Sequence, residues 1–92
     1  MGNINPLMVM VLVTDILIEL QKQFRSLALR IDFVKENLHN DMISVLQQIH
    51  RPKEIELMLK QEDIRGKSVL QYIADLKLYK FLQINHVNRI IN

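Results

Sequence analysis

A chain of 92 residues has room for one domain with a single small core. Hydrophobic residues make up 49% of it but aromatics only 5%, so that core is aliphatic; twelve basic side chains interleaved with ten acidic ones leave a net charge of +2, too little for a single-sign field. The absence of cysteine excludes disulfide scaffolds, thiolate metal sites and cysteine nucleophiles, and fits an intracellular location.

The first residues carry Gly2 but have Pro6 where an N-myristoylation motif needs Ser or Thr, and they lack the basic stretch of a signal peptide. Asn5-Pro6 is a helix start, an N-cap residue followed by proline at the first helical position, where its missing N–H costs nothing. From there Met10, Val13, Leu17, Leu20, Phe24, Leu27, Ile31, Val34 and Leu38 recur at spacings of three and four. That seam predicts one long helix over residues 6–38, about 50 Å at 1.5 Å per residue, and a break near Arg25-Ser26 would turn it into an antiparallel pair. The apolar run Leu7 to Val13 stops at Thr14-Asp15 and falls short of the roughly 18 residues a membrane span needs.

Val9, Val11, Leu12, Ile16 and Ile18 lie off the seam, so the first half of this segment is apolar nearly all round and expects burial. It serves either as the core helix of the domain or as a surface that docks on a protein partner or a second copy. Its Val and Ile content also permits a strand. Attachment to a membrane surface lacks the basic polar face that anionic lipid selects.

Glu36 to Asp41 interrupts the periodicity and supplies cap-type side chains, which predicts a helix end and a new start at Asp41. That second helix runs to His50, where Arg51-Pro52 breaks it, and a third covers about Pro52 to Gln61 with Ile55, Met58 and Leu59 inward. Glu62 to Lys67 is a loop containing Gly66, the only glycine beyond position 2. Ser68 with Gln71 three residues on has the pattern of a capping box, opening a helix over residues 69–74. A turn at Asp75-Leu76-Lys77, a helix over 78–84 and a short helical turn over 86–91 complete the chain. Ser44-Val45-Leu46-Gln47-Gln48-Ile49 returns as Ser68-Val69-Leu70-Gln71-Tyr72-Ile73, an internal repeat offset by 24 residues.

Asp63-Ile64-Arg65-Gly66-Lys67-Ser68-Val69-Leu70-Gln71-Tyr72-Ile73-Ala74 resembles the opening of an ankyrin repeat, in which Asp, two residues, Gly, one residue and Thr-Pro-Leu-His lead on to Ala-Ala. Asp63, Gly66, Leu70 and Ala74 match outright; Ser68 stands for Thr, Val69 for Pro, Gln71 for His and Ile73 for the first Ala. The resemblance covers about half the chain, Asp41 to Ile84. The earlier copy has His39 and Met42 where Asp and Gly belong, and the offset is shorter than the family period of about 33 residues, so a projecting hairpin finger has no room. Such compressed repeats are similar to the last ankyrin units before the membrane domain of transient-receptor-potential-type cation channels, which implies a cytoplasmic channel fragment as an alternative identity. Two short hairpins do not bury a continuous core, and the N-terminal segment must cover them.

The fold class expected is therefore all-α: residues 1–40 as a long N-terminal helix or helix pair, packed on two short ankyrin-like hairpins over residues 41–92. Chemistry-bearing clusters are missing from the pattern. His39, His50 and His86 read as surface or capping residues, Glu54 with Glu56 and Glu62 with Asp63 as solvated faces, and no spacing suggests a metal, cofactor, small-molecule or catalytic site. A helix-turn-helix contacting nucleic acid through Arg51, Lys53, Arg65, Lys67, Lys77 and Lys80 is the weaker alternative, because few base-reading residues accompany them. The expectation is a non-catalytic protein-interaction module. The family resemblance puts Arg65, Lys67, Gln71 and Tyr72 toward a partner, with Asp63, Gly66 and Ser68 forming the turn and cap.

Overall fold

The computed structural model describes residues 4–78, and these form an all-α fold. Helix α1 (Pro6–Gln23) is followed by a 3₁₀ turn (Arg25–Leu27), α2 (Ala28–Ile49), α3 (Pro52–Lys60) and α4 (Val69–Asp75). The expected helices over 78–84 and 86–91 lie outside the described residues, apart from Leu78.

Helix α1 starts as Asn5-Pro6 suggested. The Asn5 side-chain oxygen accepts the N–H groups of Leu7 and Met8 at 3.0 and 3.2 Å, satisfying two of the donors that a helix start leaves open. Its amide nitrogen is used as well, donating to the carbonyl of Met58 and to Gln61 Oε1, both at 2.8 Å. One side chain therefore caps α1 and ties its start to the end of α3.

The 6–38 segment is the antiparallel helix pair with its break near Arg25-Ser26, the second of the two arrangements open to the seam, and not one long helix. Phe24 leaves helical geometry (φ −122°, ψ 74°), and the chain reverses through Arg25–Leu27. No Gly or Pro enforces this. A straight helix of that length would leave most of its apolar surface in water, whereas folding back covers one side of each half. Polar bonds fix the alignment: Gln21 Nε2 donates to the carbonyl of Ala28 (3.0 Å) and to Asp32 Oδ1 (2.5 Å), and Lys35 Nζ donates to Gln21 Oε1 (2.9 Å). Val9 to Ile18, which could have been a strand, is helical throughout.

The break foreseen at Glu36–Asp41 is absent, and α2 runs through it without interruption. Asn37, Asn40 and Asp41 sit on exposed positions where their competition with the backbone is weak, while Leu38, Met42 and Ile43 pack against the core. Tertiary burial outweighs local preference here. His39, read as a surface residue, is buried at 7% exposure, and its Nε2 lies 2.9 Å from Thr14 Oγ1. The Thr14 hydroxyl donates to the carbonyl of Met10 at 2.8 Å, leaving its oxygen to accept the imidazole N–H.

Helix α2 ends at Ile49 with an extended His50 as its cap; Arg51 is extended as the residue before a proline should be, and Pro52 opens α3. The core is Leu7, Met10 and Val11 from α1, Leu46 from α2, Ile55 and Leu59 from α3, and Val69, Tyr72 and Ile73 from α4. Helix α1 touches all three of the others, with α2 against one side and the α3–α4 pair against another. Helix α4 ends in a Schellman motif: Lys77 takes φ 57°, its N–H reaches the carbonyl of Ala74, and the N–H of Leu78 reaches that of Ile73.

Burial pulls the His39 pKa below its ordinary 6.5, and the nearby Lys35 ammonium adds to the effect. The unfolded chain therefore takes up the proton first, so His39 contributes stability that is present above about pH 6.5 and lost as the pH falls through the folded-state value. Denaturant melts over pH 8 to 5 should show stability declining below pH 6.5, and His39→Gln should remove that decline. The Asp32, Glu54 and Asp63 carboxyls, all held below their ordinary values, act only at lower pH.

Candidate functional site

The loop between α3 and α4 is built around Asp63. Its Oδ1 accepts the backbone N–H groups of Arg65 (2.9 Å) and Lys67 (3.0 Å), and its own N–H donates to the carbonyl of Lys67 (2.9 Å). Gly66 closes the turn at φ 81°, a left-handed conformation that a side chain resists. Glu62 and Ser68 form a single antiparallel bridge across the base of the loop. Ser68 then caps α4, accepting the N–H of Gln71 at 3.2 Å while Gln71 Oε1 accepts the N–H of Ser68 at 2.7 Å. Asp63 and Gly66 thus stand in the turn and Ser68 at the cap.

Of the four residues placed toward a partner, two serve the loop instead. Tyr72 is a core residue at 2% exposure, so its ring offers a partner no surface, and its hydroxyl donates to Asp63 Oδ2 at 2.5 Å while accepting from Arg65 Nη2 at 2.7 Å. Gln71 is exposed, but its amide is engaged in the capping box. Arg65 and Lys67 remain on the surface. The Arg65 side chain is 70% exposed beyond its bond to Tyr72, and Lys67 Nζ lies 2.5 Å from Asp75 Oδ2 and 4.3 Å from the centre of the Tyr72 ring.

These charges stabilise one another. The hydrogen bond from Tyr72, with those from the Lys67 and Arg65 backbones, holds the Asp63 carboxyl below its usual range, and the bond to Asp63 pushes the Tyr72 phenol above its own. The cationic forms of Arg65 and Lys67 are favoured in turn, chiefly by Tyr72 and by Asp75. Two of the cations considered for a phosphate-contacting rim are thereby partly neutralised by carboxylates.

A second surface lies on α1, where the sequence left a choice between core and docking face. Val9, Val13, Ile16 and Leu20 are 48%, 37%, 61% and 37% exposed and share one side of α1, since their spacings are four, three and four. Val13 and Leu20 belong to the seam that was expected to be core, as do the exposed Phe24, Leu27 and Val34. The seam fits a continuous helix, and once the chain folds back the buried residues of α1 are Leu7, Met10, Val11 and Thr14, of which Met10 alone belongs to the seam. On α2 the neighbouring row contains exposed Val34 and Val45 with half-buried Ile31 and Leu38. No polar pattern in the chain marks this face, because it differs from the core only in what covers it.

Among the described residues no His, Asp and Glu side chains converge as a metal ion would require, and no helix is long and apolar enough to cross a membrane. Compared with protein-family models, curated proteins and solved structures, the chain matches none.

Gly66→Ala tests how firmly the loop is built. The nearest atom to an added methyl is Glu62 Oε2 at 3.7 Å, so the cost is backbone strain and not collision. A loss of about 1–2 kcal/mol is expected by denaturant melting, and less for Gly66→Asn, which tolerates the left-handed region.

Proposed function

We propose that the chain is a non-catalytic protein-interaction module, and that it binds through the open side of the α1–α2 hairpin. One observation carries the reading. The first half of the helix at the centre of the domain is apolar nearly all round, yet among the described residues α2 covers one side and the α3–α4 pair another, and Ile16 on the third is 61% exposed. Monomeric proteins rarely leave a contiguous apolar face of this kind in water, and such faces mark interaction sites.

The loop supports the ankyrin-like character of the second half. Asp63 holding the turn, Gly66 in the left-handed region and Ser68 capping the next helix are the roles that the resemblance assigns to those positions. Arg65 and Lys67 project from that turn and supply a polar contact at the other end of the domain. In this reading the turn is scaffold first, with its two cations as the part available to a partner.

A photo-reactive residue in place of Ile16, introduced in the native cell, checks the proposal. Adducts with protein at Ile16, absent from a control at Leu57 on α3, are the expected outcome. Adducts with lipid or nucleic acid alone, or none, would contradict it.

A further inference from the structure

We infer that the partner of the open face is a second copy of the chain, and that two α1–α2 hairpins stack into a four-helix dimer. The inference rests on the protein-interaction reading above and names the occupant. Thr14 and Gln21 mark the line of α1 that meets α2, and Asp32, Lys35 and His39 mark the line of α2 that meets α1. The residue preceding each position on these lines lies about 100° to one side. On α1 that row is Val9, Val13, Ile16 and Leu20; on α2 it is Ile31, Val34, Leu38 and Val45, with Asp41 in between. Because the helices are antiparallel, both rows fall on the same side of the hairpin. The residues following the α1 line lie on the opposite side, where Val11 is buried in the core that α3 and α4 share.

The face is self-complementary. A two-fold axis between Thr14 and Asp15 sets Val13 opposite Ile16 of the second copy and Val9 opposite Leu20, the layering of an antiparallel coiled coil. Thr14 is level with His39, so the same axis crosses α2 near Leu38. It brings Leu38 beside its own copy and Ile31 opposite Val45. The only charge in either row, Asp41, comes level with Lys35 of the second copy, so no like charges meet across the face. Two hairpins stacked this way bury, on each helix, a side left open among the described residues, the layer solution available to a helix pair with a bare apolar face.

The face is small. A face two helices wide, about 20 Å, and about 27 Å long covers on the order of 500 Å² on each copy, near the lower limit for a specific interface. An interface at this end of the size range fits a reversible dimer whose population depends on concentration.

Sedimentation equilibrium of the whole chain between about 2 and 500 μM provides the test. The mass should rise from 10.9 kDa toward twice that value across the range. Ile16→Glu, and independently Val45→Glu on the other helix, should weaken association at least 30-fold with the helical circular dichroism intact. Leu29→Glu, at an 84% exposed position outside both rows, should leave association unchanged. A mass of 10.9 kDa throughout, or association that survives both row variants or is lost equally in Leu29→Glu, would overturn the dimer. A monomeric chain whose Ile16 still forms adducts with other proteins would overturn this inference alone, whereas the absence of protein adducts would overturn the interaction reading itself.

Discussion

The structure depends on covering one helix. Helix α1 is apolar nearly all round in its first half, and a domain of this size can satisfy it only by wrapping the rest of the chain about it. Helix α2 takes one side and the α3–α4 pair another, while Leu7, Met10 and Val11 join the three into one core. Asn5 fixes where this begins. Its oxygen completes the start of α1 and its nitrogen reaches the last turn of α3, so two elements more than fifty residues apart share one amide. Neither half of that side chain can be lost without leaving a polar backbone group unmet in a nearly buried place.

The two ends of the domain are built on different physics. At the α3–α4 turn, hydrogen bonds and paired charges do the ordering: Asp63 receives two backbone donors and the Tyr72 hydroxyl, and Arg65 and Lys67 are held by Tyr72, Asp63 and Asp75. At the α1–α2 hairpin the polar bonds that join the two helices lie on the line between them, in Thr14 with His39 and Gln21 with Asp32 and Lys35. The rows on the open side of that line are aliphatic except for Asp41. A surface of that kind has little directional preference of its own, and register in any complex must come from the three-and-four spacing and from the few charges at its edge.

Local signals in the chain were legible where one residue type has one physical use. Asn5-Pro6, Arg51-Pro52, Gly66 and the Ser68–Gln71 pair each sit where their chemistry places them, and α3, α4 and the turn after α4 follow. What sequence left open was whether the first half stays one helix or folds on itself near Arg25-Ser26. Nothing at Phe24–Leu27 breaks a helix, and the reversal there is decided by burial that exists only after the reversal. The same cause explains the α2 residues Asn37 to Asp41, whose cap-like side chains are overruled by Leu38, Met42 and Ile43, and it explains why Val13 and Leu20 ended outside while Thr14 and His39 ended inside. The Tyr72 assignment failed for a related reason. A position that the ankyrin resemblance turns toward a partner is, in this chain, filled by a ring large enough to enter the core.

The central claim is that residues 6–49 form an antiparallel hairpin around α1, and a single distance decides it most directly. The chain has no cysteine, so spin labels can be placed without background at Glu19→Cys and Ser44→Cys, both exposed and both outside the aliphatic rows. In the hairpin these positions lie about 18 Å apart, from an axial offset of about ten residues and an interhelix spacing near 10 Å. A continuous helix would hold them about 38 Å apart at 1.5 Å per residue. A double electron–electron resonance distribution centred near 18 Å, in samples diluted with unlabelled chain, is the result this structure requires; one centred near 38 Å would contradict it.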